Sequence, residues 1–395
     1  MIEPQAVLDC FRARLDGMTA LLGELVRRES PSTDKQAVDA LADFEEARLR
    51  ELPLAVERLA RERAGDILLA RRRPDDETKG RAVLLLSHMD TVWPAGTLAQ
   101  RPFRVDGDAI TGPGCLDDKS GQVLVLAMLR GLGELGIRLA RPVTVLFNGD
   151  EESGSVASRS AIEAEARRSD FVLCLEGSDI NGELKTSRKA VGGFVMRIAG
   201  KPAHAGAHPE LGVSAIEELS RQVIDLHALN APADGVTVNV GVVGGGTRSN
   251  VVPGEAWAQI DLRARTTEKA GEISRRILSS RPHLAGARVE VSGGIARPPM
   301  ERTAQVAALF ELTRRLGRRL GLTLMETASG GGSDASFAAA LGVPCLDGLG
   351  AVGQGAHAEN EWLSLSSLAE RAALLTLLVE HLANRGLEPE GESRA

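Results

Sequence analysis

The chain has 395 residues, 43% hydrophobic and 26% charged, with a net charge of −7. This composition belongs to a globular protein large enough for two or three domains of ~150 residues, and its scattered basic residues argue against a nucleic-acid partner. No apolar run approaches the ~20 residues that span a bilayer, the N-terminus has no secretory apolar segment, and Cys10, Cys115, Cys174 and Cys345 form no CxxC pair, which together point to a cytoplasmic chain with reduced thiols and no membrane partner.

Helical periodicity covers 5–29. "PSTDKQ" breaks it and offers an N-cap for a second helix over 35–50. "AVLLL" (82–86), "PVTVLF" (142–147) and "FVLCL" (171–175) predict buried strands, with the apolar helix "SGQVLVLAMLRGLGEL" between the first two. Strands separated by helices predict a largely parallel sheet with helices on its faces. Near 190 the rhythm changes. "GGFVMRIAG" alternates like a half-exposed strand, a helix follows over 212–229, and "VTVNVGVVGGG", "AWAQIDLRA" and "ARVEVSG" read as strands around the helix "TEKAGEISRRILSS". Helices return over 303–320 and 333–341, then the short strand "VPCLDGL" and a long closing helix from Ser364. The tail after Gly386 is polar and is expected to fray. The predicted fold class is α/β: a main domain with a largely parallel central sheet flanked by helices (1–189 and 299–395), interrupted by an inserted α+β domain (190–298).

The stretch "LLLSHMDTVWP" ends an apolar run with His88 and Asp90. Residues i and i+2 of an extended segment face the same way, and that pairing suits a metal-bound imidazole steadied by a carboxylate. Four further spots resemble it. "TGPGCLDDKSG" carries Asp117 and Asp118, "LFNGDEESGS" carries Asp150, Glu151 and Glu152, "LCLEGSD" carries Glu176, and "GQGAHAENEW" carries His357. In open α/β sheets, ligands gather outside the carboxyl ends of the strands. Carboxylates crowded there need positive charge among them, and two divalent cations supply it. One takes His88, Asp117 and Glu176; the other takes Asp117, Glu152 and His357, with Asp117 bridging. A mixed imidazole and carboxylate set suits zinc, two such metals activate water, and Glu151 is then left as general base.

These motifs resemble those of the M20 family of metallopeptidases, most closely its glutamate carboxypeptidase branch. "SHMDTV", "GPGCLDDK", "GDEESGS", "LE" at 175–176, "GKPAHAG", "SNVVP", "DLR" at 261–263, "SGGGSDAS" and "GAHAENEW" occur in order from about 80 to 365. The resemblance implies the same two-metal assignment, with two Zn2+ per subunit that Co2+ or Mn2+ can replace. It implies that Asp90 orients His88, that Glu151 is the base, and that the Asp117–Asp118 peptide is cis. The inserted domain becomes a lid that commonly mediates a homodimer. His204 of "HAG" then helps bind the substrate carbonyl or oxyanion, in several relatives from the partner subunit. Asn250 and Arg263 hold the terminal carboxylate of a peptide or N-acyl amino acid, a geometry that suits an arginine fork. The implied reaction is cleavage of the amide bond to a C-terminal amino acid. Lys185, Ser187 and Arg297 are candidate readers of a glutamate side chain, although the register around "GSDINGELKTSRKAVGG" departs from the family pattern. Ser120 stands where glycine is usual in this branch and is expected to be tolerated.

Two other readings compete. One is deacylation of an N-acyl amino acid such as acetylornithine or succinyl-diaminopimelate. The other is a non-catalytic metal- or ligand-binding protein, which would need no base at Glu151. "GGGTRSN" and "SGGGSDAS" lack the signatures of phosphate-cradling loops. His208, His227, His283 and His381 read as surface or packing residues, Asp118 as part of a turn, Asp150 as a solvated neighbour of the glutamates, Asp334 as an N-cap, and Glu359 and Glu361, near His357, either as acids that support the metal ligands or as structural residues.

Overall fold

The computed structural model describes residues 3–75 and 80–388; the last residues of the predicted frayed tail lie outside them. The first helical stretch is two helices, α1 (Pro4–Arg12) and α2 (Leu15–Val26), parted at Arg14, whose φ is −108° and ψ 4°. Asp34, within "PSTDKQ", caps α3 (Lys35–Arg50) by accepting the Ala37 N–H at 3.1 Å, which satisfies a donor that the first helical turn leaves open. β1 (Ala55–Leu59) and β2 (Gly65–Arg72) pair antiparallel. β3 (Ala82–His88) is buried along its whole length. The short elements α4 (Thr97–Gln100), β4 (Arg104–Asp106) and β5 (Ala109–Thr111) lead to α5 (Ser120–Glu134), β6 (Val143–Gly149), α6 (Arg159–Arg167) and β7 (Ser169–Cys174). β6 is likewise buried throughout, as expected for a strand covered on both faces.

β8 (Leu184–Arg188) precedes an antiparallel segment with its own core. β9 (Ala190–Ala199), α7 (Ala215–His227), β10 (Thr237–Gly245), β11 (Glu255–Ala264), α8 (Thr267–Leu278) and β12 (Arg288–Arg297) follow in order. The strands pair as β10-β11-β9-β12. Buried and accessible residues alternate along β9 and β11, the period of a sheet with one packed face. Ser214 and Thr266 cap the two helices by accepting the N–H groups of Glu217 and Lys269.

α9 (Ala304–Arg319), β13 (Glu326–Ser329), α10 (Ala335–Ala339), β14 (Cys345–Leu346), β15 (Gly353–Gln354), β16 (Trp362–Ser364) and α11 (Leu365–Arg385) complete the chain. The large sheet has the order β1-β2-β6-β3-β7-β14. β3 runs parallel to β6 and β7, and β14 runs parallel to β7, while β1 and β2 are an antiparallel margin. The fold is α/β, a sheet-and-helix domain with a smaller inserted sheet domain. α11 is buried on nearly every side and packs on α1 and α5, the behaviour of a helix that is apolar all round. A second small sheet, β15-β16-β5-β4, lies in the same unit. The chain clusters into two compact units: one comprises 187–301 with 329–336, and the other comprises the rest. No helix among the described residues is long and apolar enough to cross a membrane.

Candidate metal centre

The large sheet delivers the first residues of the site. His88 is the last residue of β3, and Glu176 lies just past the end of β7. β6 ends at Gly149, and the next turn carries Glu151 and Glu152. Asp150 holds that turn. It is 3% exposed and accepts the Ala157 N–H at 2.7 Å, while its carbonyl accepts the Ser155 N–H. Asp150 is therefore a buried turn-former and not the solvated neighbour expected from the sequence. The turn bends through left-handed backbone at Gly154 (φ 99°) and Ser155 (φ 56°), which sequence periodicity does not report. Asp117 lies in the Cys115–Lys119 turn that leads into α5, and its peptide bond to Asp118 is cis. His357 lies between β15 and β16 with φ 64°, an uncommon backbone state for a residue with a side chain.

The side chains converge on Asp117. His88 Nε2 is 3.1 Å from Oδ1 of Asp117, and His357 Nε2 is 3.0 Å from Oδ2. His88 Nε2 is also 3.8 Å from Glu176, and His357 Nε2 is 3.0 Å from Glu152. One carboxylate thus lies between two imidazoles, each with a further carboxylate beside it. Candidate ligand atoms within 4.8 Å of one another form two groups that share His88: with Glu151 and Glu176, and with Asp117 and Glu152. The pairwise distances give Asp117 one oxygen for each imidazole.

Asp90 is fully buried. Its backbone carbonyl, 2.9 Å from His88 Nδ1, is the nearer acceptor for that ring, and its carboxylate is 3.5 Å away. The carboxylate instead accepts the N–H groups of Glu151 (3.0 Å) and Glu152 (3.1 Å) and the Ser32 hydroxyl (2.7 Å). A proton held on Nδ1 leaves Nε2 facing Asp117, the orientation a ligand needs. Asp118 is buried and accepts the Ser87 hydroxyl at 2.6 Å, so it braces the end of β3. Ser120 donates to the Leu116 carbonyl at 3.3 Å.

Burial would lower the basicity of His88, but the carboxylates of Asp117 and Asp90 and the charge of Glu176 raise it well above the usual value. Hydrogen bonds to Asp117 and Glu152 push His357 up to about 11, against partial burial. Burial would raise Asp117, yet the two imidazoles hold it below the usual carboxylate range. Burial raises Asp118.

Lys185 lines a cavity of about 100 Å³ with Asp117, Glu176, Ser178 and Gln354, and its Nζ donates to the Gly177 carbonyl at 2.7 Å. In the second unit, His204 Nδ1 accepts the N–H groups of Gly206 and Ala207 at 3.1 and 3.0 Å, which assigns the ring proton to Nε2. The Asn250 carbonyl accepts the Ala205 N–H. Arg263 grips the Asp261 carboxylate, and buried Arg297 donates to Asp334 at 2.9 Å.

A model described as Peptidase family M20/M25/M40 matches residues 84–381. The chain belongs to this family. Carboxypeptidase G2 of Pseudomonas sp. (strain RS-16) is 34% identical over 386 residues, covering 94% of this chain and 91% of the relative. The uncharacterized protein YqjE of Bacillus subtilis (strain 168) is 26% identical, covering 76% of this chain and 81% of its own length. Among solved structures, aminopeptidase PepT from Bacillus cereus superposes with a TM-score of 0.78 at 23% identity, covering 94% of this chain and 99% of that one. An M20 family metallo-carboxypeptidase from Sulfolobus solfataricus gives 0.70 at 17%, covering 92% and 98%; both show the shared fold.

This M20 chain is a metal-dependent hydrolase of peptide or amide bonds. Its residues fit a two-metal centre by their own chemistry. Oε1 of Glu152 is buried without a hydrogen-bond partner among the described residues, an arrangement that costs free energy unless a cation satisfies it. The donor set is imidazole and carboxylate.

Proposed function

We propose that the chain is a di-zinc carboxypeptidase that releases a C-terminal amino acid from a peptide or N-acyl amino acid, with glutamate as a favoured residue. The observation that carries this is the Asp117 carboxylate between the imidazoles of His88 and His357, with Glu176 and Glu152 outside them and Glu151 in the same cluster. Two divalent cations in this set supply Lewis-acid activation and charge stabilisation. Glu151 removes a proton from the attacking water and delivers it to the leaving amine nitrogen. The Asp90 carboxylate fixes the backbone from which Glu151 projects. The Nε2–H of His204 is a donor for the developing oxyanion, and Asn250 and Arg263 bind the terminal carboxylate. Lys185 and Arg297 read the substrate side chain, a role supported for Lys185 by its place in the cavity beside Asp117 and Glu176.

The direction of cleavage is supported by the 34% identical carboxypeptidase. The same bond is cut in deacylation of acetylornithine or succinyl-diaminopimelate, so the substrate panel must include both classes. The second unit serves as lid and dimerisation domain in this reading. Its support is the sheet-edge strand β10, where Val242 and Val243 are 46% and 56% exposed. A cytoplasmic setting accords with four free cysteines.

The deciding experiment measures amino-acid release from dipeptides and N-acyl amino acids by chelated and zinc-reconstituted protein. Metal-dependent release is expected, and Glu151→Gln should lower kcat by about 10²–10⁴-fold while keeping its metal. A Glu151→Gln variant as active as the parent would refute the assignment of the base, and release of residues other than glutamate would refute the side-chain preference.

A further inference from the structure

The turn that carries Asp117 is not regular helix. Gly114 takes φ 71°, and Asp117 takes φ −116° and ψ 94°. Its main-chain donors are therefore not met by local carbonyls alone. Three of them converge on one distant side chain. The N–H groups of Leu116 and Asp117 donate to Glu361 Oε1 at 2.9 and 3.2 Å, and that of Gly114 donates to Oε2 at 2.9 Å. The Trp93 indole N–H donates to the same Oε2 at 3.0 Å. Glu361 is 1% exposed, and no basic side chain forms an ion pair with it among the described residues. Its charge is met by oriented N–H dipoles, which form an anion-binding concavity.

The four donors come from two segments, and the carboxylate comes from a third. Trp93 follows His88 and Asp90 out of β3. Gly114–Asp117 is the turn of the bridging carboxylate. Glu361 closes the loop that presents His357. Arg101 fastens the same corner: its guanidinium stacks over Trp93 at 4.3 Å and reaches the Ala358 carbonyl at 3.4 Å. We infer that Glu361 is a positioning residue of the metal centre: its carboxylate joins the segments carrying His88, Asp117 and His357, and so makes the two metal subsites depend on each other. This rests on the two-metal reading. Glu361 itself touches neither metal nor substrate. It acts by keeping the Asp117 carboxylate turned so that one oxygen faces each imidazole. An amide at this position offers one acceptor oxygen and turns an NH2 donor toward N–H donors, so Glu361→Gln keeps the volume and removes the function.

The test is metal affinity, measured by competition with a chromophoric chelator, beside thermal melting of the chelated proteins and steady-state kinetics. Glu361→Gln is expected to weaken both metal equivalents together by about 10–100-fold, the range for groups that orient ligands. In the metal-saturated variant kcat should fall while KM stays near the parent value. Wild-type affinity at both subsites with only a lowered melting temperature would overturn the inference, leaving Glu361 a structural residue. If Glu361→Gln does not fold, Trp93→Phe decides. It removes one of the four donors and keeps a smaller aromatic ring under Arg101, and a few-fold weaker affinity at both subsites is expected; unchanged affinity overturns the inference. A parent chain that binds two metals but releases no amino acid would defeat the functional reading alone, because the affinities still test Glu361. A parent that binds no second metal would defeat the two-metal reading.

Discussion

Asp117 lies 3.1 and 3.0 Å from the Nε2 atoms of two imidazoles. The raised basicity of His88 and His357 has a direct consequence for metal uptake. His357 is raised to about 11 by Asp117 and Glu152 and His88 is raised above its ordinary value by Asp117, Asp90 and Glu176, so an incoming cation competes with ring protons for the same nitrogens. Zinc binding at pH 7 should therefore release roughly two protons, and apparent affinity should rise by up to about tenfold per pH unit for each. Calorimetry in buffers of different ionisation enthalpy measures the release; a value near zero would contradict the protonation of these rings. The sign for stability is the opposite. A basic group raised from 6.5 to about 11 stabilises the metal-free fold fully below pH 6.5, and that contribution is lost as pH rises through 11. The convergence of His88, Asp117, Glu152, Glu176 and His357 was legible in sequence because each follows an apolar strand end or opens a helix. Glu361 was legible only as an acid near His357 that either supports the ligands or is structural, with no partner named. Its main-chain partners are 244–247 residues away in sequence, and main-chain donors leave no pattern of residue types.

At the scale of elements, β3, β6, β7 and α11 were readable from apolar runs and periodicity. β1 and β2 were not, because "AVERL" and "GDILLARR" mix charge into short strands at the sheet margin. α3 has a feature that periodicity alone conceals. Glu45 is fully buried on its inner face, and neither carboxylate oxygen has a hydrogen-bond partner among the described residues. Burial pushes it up to about 8, although the charges of Arg48, Lys119, Arg28 and Arg130 oppose this. An acid raised in the fold favours the folded state while protonated. Stability should therefore fall as pH rises from the ordinary carboxylate range through about 8, with a limiting slope of ~1.4 kcal/mol per unit. Glu45→Gln should remove this slope and be more stable than the parent at pH 8, which denaturant titrations across pH 5–9 would measure. Equal slopes in the two proteins would show that Glu45 is ionised throughout.

At the scale of the molecule, two separate hydrophobic cores underlie the two compact units. Leu375 of α11 is 1% exposed in the first, and Ile260 of β11 is 3% exposed in the second. Truncating either to alanine should cost about 2–5 kcal/mol. In calorimetry each variant should shift chiefly the transition of its own unit; equal shifts of one common transition would show a single cooperative block. The change of rhythm near 190 suggested a domain over 190–298; the second compact unit comprises 187–301 with 329–336, and that small piece is too short and glycine-rich to carry a periodic signal.

The interruption of the first unit also sets an order of events during synthesis. Residues 187–301 form nearly the whole second unit in one continuous stretch, so that unit has most of its contacts available while later residues are still being added. The first unit waits for β14, which extends its sheet, and for α11, which packs on α1. Domains fold as units, those made earlier first. On a ribosome the inserted unit is thus the first finished object, while the half-built sheet around His88 and Asp117 stays open until His357 arrives to complete it. The nascent chain holds an incomplete cluster of imidazole and carboxylate groups for most of its synthesis, and its apolar strands β3 and β6 are the surfaces that chaperones have cause to shield in that interval.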